Sequence, residues 1–188
     1  MNRLHHWLCR SAVWRRAVEH HLPWVLADLD LGKNVLEVGP GPGITTDLLR
    51  PRVGHLTCVE ADGPLAAALS RRLTGTNVHV LHQDATAMTL PAGTFDAAVC
   101  FTMLHHVPSP ALQDRLLVEV ARVLRPGGIF AGLDSLVSPA FRLLHLFDTL
   151  TPIDPRTFGA RLEASGFVDA HVEVRESRFR FRARRPPV

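Results

Sequence analysis

The sequence predicts an α/β fold: a doubly wound, seven-stranded, mostly parallel sheet with an antiparallel last strand. Five short apolar runs alternate with helical stretches, a pattern typical of parallel strands joined by right-handed crossovers. The runs are rich in β-branched and apolar residues, as expected for strands buried on both faces. Two further strand-like runs close the chain with no room for a helix between them. They predict an antiparallel hairpin at one edge of the sheet.

Strands and helices can be assigned in order along the chain. The predicted strands are residues 34–38, 56–60, 77–81, 95–101, 129–133, 168–174 and 178–184. Three helices have readable starts, because a capping residue precedes a proline that suits the first turn. These pairs are Asp62 with Pro64, Ser109 with Pro110 and Asp154 with Pro155. An apolar stripe at helical spacing runs from 112 to 124, and Pro126-Gly127-Gly128 is expected to end that helix.

Residues 1–33 are predicted to form an N-terminal helical extension, and residues 34–188 a single domain. Apolar residues at helical spacing predict one amphipathic helix over 11–26, or two that meet at Pro23. The stripe consists of Val13, Trp14, Ala17, Val18, Leu22 and Val25. Two roles are open: a lid over a ligand site, to which Trp7 and Trp14 would contribute apolar area, or a helix that covers one flank of the sheet.

Composition excludes several classes of protein. With 188 residues, 46% of them hydrophobic and 21% charged, the chain can bury one globular core. The three cysteines form no Cys-x-x-Cys pair, which argues against a disulfide framework and favours a reducing, cytoplasmic compartment. No apolar run approaches the roughly 18 residues of a membrane span. The net charge of +3 is concentrated in a C-terminal arginine-rich run.

A glycine-rich turn follows the first predicted strand in the stretch VLEVGPGPG. Open α/β sheets bind ligands at this edge, and glycine is needed where a Cβ would meet the ligand or where φ is positive. The glycines at 39, 41 and 43 depart from the Gly-x-Gly-x-x-Gly spacing of dinucleotide-binding folds. The motif has no Walker lysine, and we expect no lysine or arginine near the turn to hold a pyrophosphate.

Two carboxylates extend the candidate site. Glu60 closes the second strand, where it could accept hydrogen bonds from both hydroxyls of a ribose. Asp84 follows the third strand, where it could accept from an exocyclic amine while the backbone N–H of Ala85 meets a ring nitrogen. Together with the glycine turn, they predict a ligand that has a ribose and an aminated purine but no phosphates.

The motifs VLEVGPGPG, CVEAD, LHQDATA, FDAAVCFTMLHHV and EVARVLRPGGIFAG resemble those of the class I S-adenosylmethionine-dependent methyltransferases, in their order and spacing over residues 34–133. The resemblance is greatest to small members with a Leu-His-His sequence after strand four and an RVLRPGG sequence. It implies S-adenosylmethionine as cofactor, the glycine turn near its methionine portion, Glu60 at the ribose, and Asp84 with Ala85 at the adenine. The cofactor-binding set is Glu37, Gly39, Gly41, Gly43, Glu60, Ala61, Asp84, Ala85 and Phe101.

Two histidines, His105 and His106, follow the fourth strand beside the expected position of the methyl group. Either could accept a proton from an attacking hydroxyl or amine, and a structural role is equally open. The predicted substrate contacts are Thr102, Asp134, Ser135, Phe141 and Trp14. The apolar interval after strand five could roof the pocket with Phe141, Leu144, Phe147 and Leu150.

No metal site is predicted. The pairs His5-His6 and His20-His21 are interpreted as solvated helix faces, because adjacent residues on a helix point in different directions. Cys100 is interpreted as a buried strand cysteine rather than a nucleophile. In RFRFRARR, alternation is expected to turn Phe179 and Phe181 inward and the arginines outward, on an edge strand where cations discourage edge-to-edge pairing.

The resulting functional prediction is methyl transfer from S-adenosylmethionine to an oxygen, nitrogen or sulfur of a small molecule, by a monomer or homodimer. One alternative is an RNA-directed methyltransferase, which the arginine-rich run favours and the lack of a nucleobase-methylation motif opposes. The other is a catalytically silent cofactor-binding scaffold, which the intact motifs oppose.

Overall fold

Seven strands form one sheet in a computed structural model that describes residues 11–187. The strand order is β3-β2-β1-β4-β5-β7-β6. Strands β1 to β5 are parallel, and β7 is antiparallel to both of its neighbours, β5 and β6. The strands are β1 (Asn34–Val38), β2 (His55–Glu60), β3 (Val78–His82), β4 (Phe95–Phe101), β5 (Leu124–Ser135), β6 (Val168–Arg175) and β7 (Arg178–Arg184). The predicted fold class is confirmed.

Within residues 11–187, six α-helices connect or cover the strands. They are α1 (Ala12–Val25), α2 (Ile44–Leu49), α3 (Gly63–Arg72), α4 (Pro110–Val123), α5 (Pro139–Leu144) and α6 (Pro155–Ala164), and 3₁₀ turns occupy Arg50–Arg52 and Leu104–His106. The three predicted caps are confirmed, because the side chains of Asp62, Ser109 and Asp154 each accept a backbone N–H of the first turn. Within the described residues, no helix is both long enough and apolar enough to cross a membrane.

The core lies on both faces of the sheet, as continuous apolar strands require. The largest fully buried side chains include four phenylalanines, Phe130, Phe158, Phe179 and Phe181. Phe181 packs edge-on against Phe130 and Phe158, with ring centroids 5.0 and 5.1 Å apart. These contacts fix the closing hairpin and α6 against β5, which in turn positions the segment after β5 over the carboxyl edge of the sheet.

The arginine-rich strand is not at the edge of the sheet, so that prediction is wrong. Strand β7 lies between β5 and β6, because the second strand of the hairpin, not the first, pairs with β5. The predicted inward orientation of Phe179 and Phe181 is confirmed. On the other face, Arg178 stacks on the Trp14 ring at 5.4 Å and Arg180 on the Trp24 ring at 5.2 Å. The arginines therefore anchor α1 instead of discouraging strand pairing.

Helix α1 is a single helix that continues through Pro23, with Ser11 as its N-cap. Its second half is buried at Leu22 and Val25, whereas Val13 is 71% exposed. The apolar stripe is thus most deeply buried in its second half, while Trp14 near its start stacks on Arg178 of β7. Trp7, Cys9, His5 and His6 lie outside the described residues, and the proposed division at residue 33 stays a prediction.

Candidate functional site

A cavity of about 550 Å³ opens at the carboxyl ends of the parallel strands. Its volume falls in the range of roughly 300–1,000 Å³ that is typical of small-molecule sites. The glycine turn after β1 and the end of β2 form one end of the cavity, and the segments after β4 and β5 form the other. Of the predicted site residues, eleven border it: Trp14, Gly39, Gly41, Glu60, Ala61, Phe101, Thr102, His105, His106, Ser135 and Phe141.

The three positions of the turn lack a side chain for two different reasons. All three glycines have positive φ, at 67°, 54° and 85° for Gly39, Gly41 and Gly43. A Cβ on Gly39 would lie 2.2 Å from Met103 Cγ, and one on Gly43 would lie 2.3 Å from Leu69 Cδ1. A Cβ on Gly41 would have no atom within 4 Å. Packing therefore opposes a side chain at Gly39 and, less strongly, at Gly43, where a Cβ would meet only the ends of the Leu69 and Arg72 side chains. Gly41 instead leaves backbone beside the cavity, where a ligand can approach it closely.

Glu60 links the two backbone segments at this end of the cavity. Its Oε2 accepts the Gly41 N–H at 2.9 Å, and its Oε1 accepts the Asp62 N–H at 2.9 Å. Each carboxylate oxygen can still accept a second hydrogen bond, and the side chain borders the cavity. The bare turn and this carboxylate therefore fit a ribose-containing ligand such as S-adenosylmethionine.

Glu37 lies behind the glycine turn and not on the cavity wall. It is 1% exposed, and its Oε2 accepts hydrogen bonds from Thr46 Oγ1 at 2.7 Å and Cys58 Sγ at 3.5 Å. Burial raises the pKa of the carboxyl to about 7, although both hydrogen bonds act in the opposite direction. Glu37 is therefore a buried support of the turn whose charge changes near neutral pH.

Four other predicted residues also lie away from the cavity wall. Exposed Asp84 accepts the backbone N–H of Thr86 at 2.8 Å, and Ala85 is buried beside it. Gly43 is buried in the turn, and Asp134 is buried beneath the other end of the cavity. The roles of all these residues toward the cofactor or acceptor stay predictions.

An arginine stands next to the glycine turn, which the sequence order concealed. Arg72 on α3 donates to both oxygens of Asp47, at 2.8 and 2.9 Å, and to the carbonyls of Pro42 and Gly43, each at 3.3 Å. Its guanidinium is thus committed to the outer side of the turn, and Arg72 does not line the cavity. The expectation that no cation stands near the turn is wrong, while the arginine has a structural role there.

At the opposite end, His105 is held by a buried carboxylate. Asp134 Oδ1 lies 2.6 Å from His105 Nδ1, and Asp134 Oδ2 accepts the His105 backbone N–H at 3.3 Å. Asp134 also accepts the Ser135 N–H at 2.7 Å. Since Asp134 is fully buried, its bonds fix the ring orientation of His105 at the cavity wall.

A third histidine, His145, completes this end and was missed by the sequence analysis. It follows α5 and is 3% exposed. Its Nδ1 donates to the Phe141 carbonyl at 2.8 Å, and its Nε2 lies 3.2 Å from His105 Nε2. Burial lowers the pKa of His145, which favours the neutral ring at pH 7. The available signal was a histidine flanked by two leucines, Leu144 and Leu146, in the stretch predicted as the roof.

The predicted roof is only partly correct. Phe141 and Leu144 border the cavity, whereas Phe147 is 95% exposed with a φ of 64°. After α5, His145 is the buried residue and Phe147 faces solvent, and the chain borders the cavity again at Asp148 and Thr149. Cys100 is fully buried, and burial raises its pKa well above the usual range, as expected for an inert strand cysteine.

Comparisons with known proteins agree with this geometry. An uncharacterized methyltransferase of Mycobacterium bovis is 32% identical over 114 residues, which are 60% of this chain and 56% of that protein. The ubiquinone biosynthesis O-methyltransferase of Azotobacter vinelandii is 31% identical over 132 residues, 66% of this chain and 55% of that protein. The chain thus spans about half the length of the curated relatives it matches.

The fold also matches a solved S-adenosylmethionine-dependent methyltransferase of Mesorhizobium loti, with a TM-score of 0.75 and 19% identity over 88% of this chain and 97% of the other. At this identity the likeness shows the fold alone. The sequence model of the methyltransferase domain family matches residues 36–132. Because that match covers about half of the chain, the protein belongs to the methyltransferase domain family, and S-adenosylmethionine is the cofactor that the family implies.

Proposed function

We propose that the protein transfers the methyl group of S-adenosylmethionine to an oxygen, nitrogen or sulfur atom of a small molecule. The observation that carries the proposal is one continuous cavity with the glycine turn and Glu60 at one end and histidines at the other. The bound cofactor supplies an electrophilic methyl group on a sulfonium. The chain then has to hold the acceptor in line at roughly 3–3.5 Å and exclude water.

An apolar or aromatic molecule with a hydroxyl group is the acceptor class that we favour. Phe141, Leu144 and Trp14 provide apolar wall, while Thr102 and Ser135 provide hydroxyls at the strand ends. The O-methyltransferase name of the Azotobacter vinelandii relative supports oxygen as the acceptor atom.

His105 and His106 border the cavity at the end away from the glycine turn, which we call the histidine end. We propose that the acceptor binds at this end and that these two side chains are catalytic. Their task is to promote loss of the acceptor proton, whose removal makes the oxygen a better nucleophile. The Leu-His-His segment that carries them is the basis for assigning the chain to the small Leu-His-His and RVLRPGG type.

An RNA acceptor has less support. The arginines that favoured it are partly engaged: Arg178 and Arg180 stack on tryptophans of α1, and Arg180 also donates to the Trp24 carbonyl. A steep decrease in RNA affinity with salt would revive this alternative. Formation of a methylated product with any acceptor would exclude the silent scaffold.

The end of the cavity at the glycine turn and Glu60, where we propose that S-adenosylmethionine binds, is called the cofactor end. Calorimetric titration tests this assignment directly. S-adenosylmethionine and its demethylated product should bind the wild-type protein, while NAD and ATP should not. Glu60→Ala should weaken binding by at least about 10- to 150-fold, since the loss of even one hydrogen bond to a charged group costs about 1.5–3 kcal/mol. Glu163→Ala, on the exposed side of α6, is the control and should bind as wild type does. Unchanged affinity in a folded Glu60→Ala sample would refute the assignment.

A further inference from the structure

Three imidazole rings meet at the end of the cavity opposite the glycine turn. One ligand nitrogen of each of His105, His106 and His145 lies within 4.8 Å of the other two. His105 and His145 are buried, and half-buried His106 borders the cavity. The three rings come from the 3₁₀ turn after β4 and from the segment after α5.

Hydrogen bonds on the far sides of two rings determine which nitrogens point inward. Asp134 Oδ1 lies 2.6 Å from His105 Nδ1, and the Phe141 carbonyl lies 2.8 Å from His145 Nδ1. A carboxylate and a carbonyl both accept, so each Nδ1 carries a hydrogen. In neutral rings the lone pairs are then on the two Nε2 atoms, which are 3.2 Å apart. Two lone pairs this close repel each other unless they share a cation, either a proton or a metal ion.

The third ring favours the metal ion, and the spacing is compatible with it. A zinc–nitrogen bond of roughly 2.0–2.1 Å places neighbouring nitrogens of a tetrahedral site about 3.3–3.4 Å apart, close to the observed 3.2 Å. Histidines that bind metals almost always donate their other N–H to a carboxylate or a backbone carbonyl. His105 and His145 do so, and buried Asp134 supplies a compensating negative charge.

We propose that His105, His106 and His145 bind one divalent transition-metal ion, with zinc the best match. The 4.8 Å limit on the distances between the ligand nitrogens exceeds the edge of a zinc tetrahedron, so metal binding requires the rings to move closer together. Of the three, His106 is the half-buried one. Three protein ligands leave a fourth position, as in catalytic zinc sites. That position faces the cavity, since His105 and His106 line it.

At the histidine end, the metal ion would promote loss of the acceptor proton, and this step rests on the proposed function. A hydroxyl or thiol in the fourth position would lose its proton to water more readily, because the cation stabilises the anion. The anion then forms a bond to the methyl carbon as the carbon–sulfur bond breaks, and the electron pair remains on sulfur. The histidines would thus promote proton loss through the charge of the metal instead of accepting the proton.

The test uses the untagged chain of residues 1–188, freed of metal by a chelator and titrated with Zn²⁺ alone at pH 7.5. Competition with a chromogenic chelator measures stoichiometry and affinity, and Co²⁺ absorption reports tetrahedral coordination. We expect one equivalent of Zn²⁺ to bind. His106→Ala and His145→Ala should each weaken binding by about 100-fold or more, because loss of a metal ligand costs at least as much affinity as loss of a residue that only orients a ligand. His79→Ala, on the exposed surface of β3, is the control and should match wild type.

The outcomes separate this inference from the proposed function. Equal Zn²⁺ affinity in wild type and a folded His106→Ala and His145→Ala double variant would overturn the metal site. If that result came with normal S-adenosylmethionine binding, the proposed function would stand. One-to-one Zn²⁺ binding that depends on the histidines, without any binding of S-adenosylmethionine, would support the metal site and overturn the proposed function.

Discussion

The two ends of the cavity are built in different ways. The cofactor end consists mainly of backbone, and its one prominent side chain, Glu60, bonds to backbone N–H groups, including that of Gly41, 19 residues away. The histidine end consists of side chains from distant parts of the chain: His105 is 29 residues from Asp134 and 40 from His145. A site made of backbone is sensitive to an added Cβ, whereas a site made of side chains is sensitive to the loss of any member.

The largest expected effect of this difference comes from adding one methyl group at the cofactor end. Gly39 and Gly93 have nearly the same φ, 67° and 68°, but only a Cβ on Gly39 would meet another atom within 4 Å, Met103 Cγ. Gly93→Ala should cost about 1–2 kcal/mol of unfolding free energy, the cost of a left-handed conformation. Gly39→Ala should cost about 1–3 kcal/mol more from overpacking. Urea unfolding measures both values.

The same pair should differ in cofactor affinity, because a displaced Met103 would move at the wall of the cavity. Calorimetry should show weak S-adenosylmethionine binding for Gly39→Ala and normal binding for Gly93→Ala. Equal stability and equal affinity in the two variants would mean that the cofactor end is not built as described.

A second experiment examines the buried side chain behind the glycine turn. The pKa of Glu37 is raised to about 7 from 4.5, so the folded state holds this proton more tightly than the unfolded chain. The resulting stability is fully present below about pH 4.5 and is lost as the pH rises through 7. Glu37→Gln cannot ionise, so its stability relative to wild type should increase from pH 5 to pH 8, by at most about 3 kcal/mol.

Urea unfolding at several pH values measures this change. Glu163→Gln, on the exposed side of α6, is the matched control, and its stability should follow the wild-type curve. If the curves for Glu37→Gln and wild type ran parallel, the Glu37 carboxyl would not titrate in this range.

The smallest expected effect concerns the two tryptophans of α1, one at the cavity and one remote from it. Trp14 and Trp24 both stack on arginines of β7, but only Trp14 borders the cavity. Each alanine variant should lose at least about 0.5–1 kcal/mol of stability, the size of an exposed cation–π contact. If α1 acts as a lid, Trp14→Ala alone should also weaken S-adenosylmethionine binding. Equal affinity in both variants, measured by calorimetry, would leave α1 as a structural helix.

By itself, the sequence determined the features that depend on neighbours a few residues apart. The capping residues, the glycine turn and the order of strands and helices were predicted correctly, because local spacing specifies them. The family motifs are also short local patterns. For this reason, residues of the proposed cofactor end could be named from the sequence alone.

Only the tertiary structure decided which distant segments meet. It placed β7 between β5 and β6, turned Phe147 toward solvent and set Arg72 beside the glycine turn. It also brought His145 to His105. No local pattern encodes such contacts, because they depend on how β5, α5 and the closing hairpin pack on one core. The histidine end of the cavity is therefore a product of tertiary packing, while the cofactor end follows from one strand, one turn and one carboxylate.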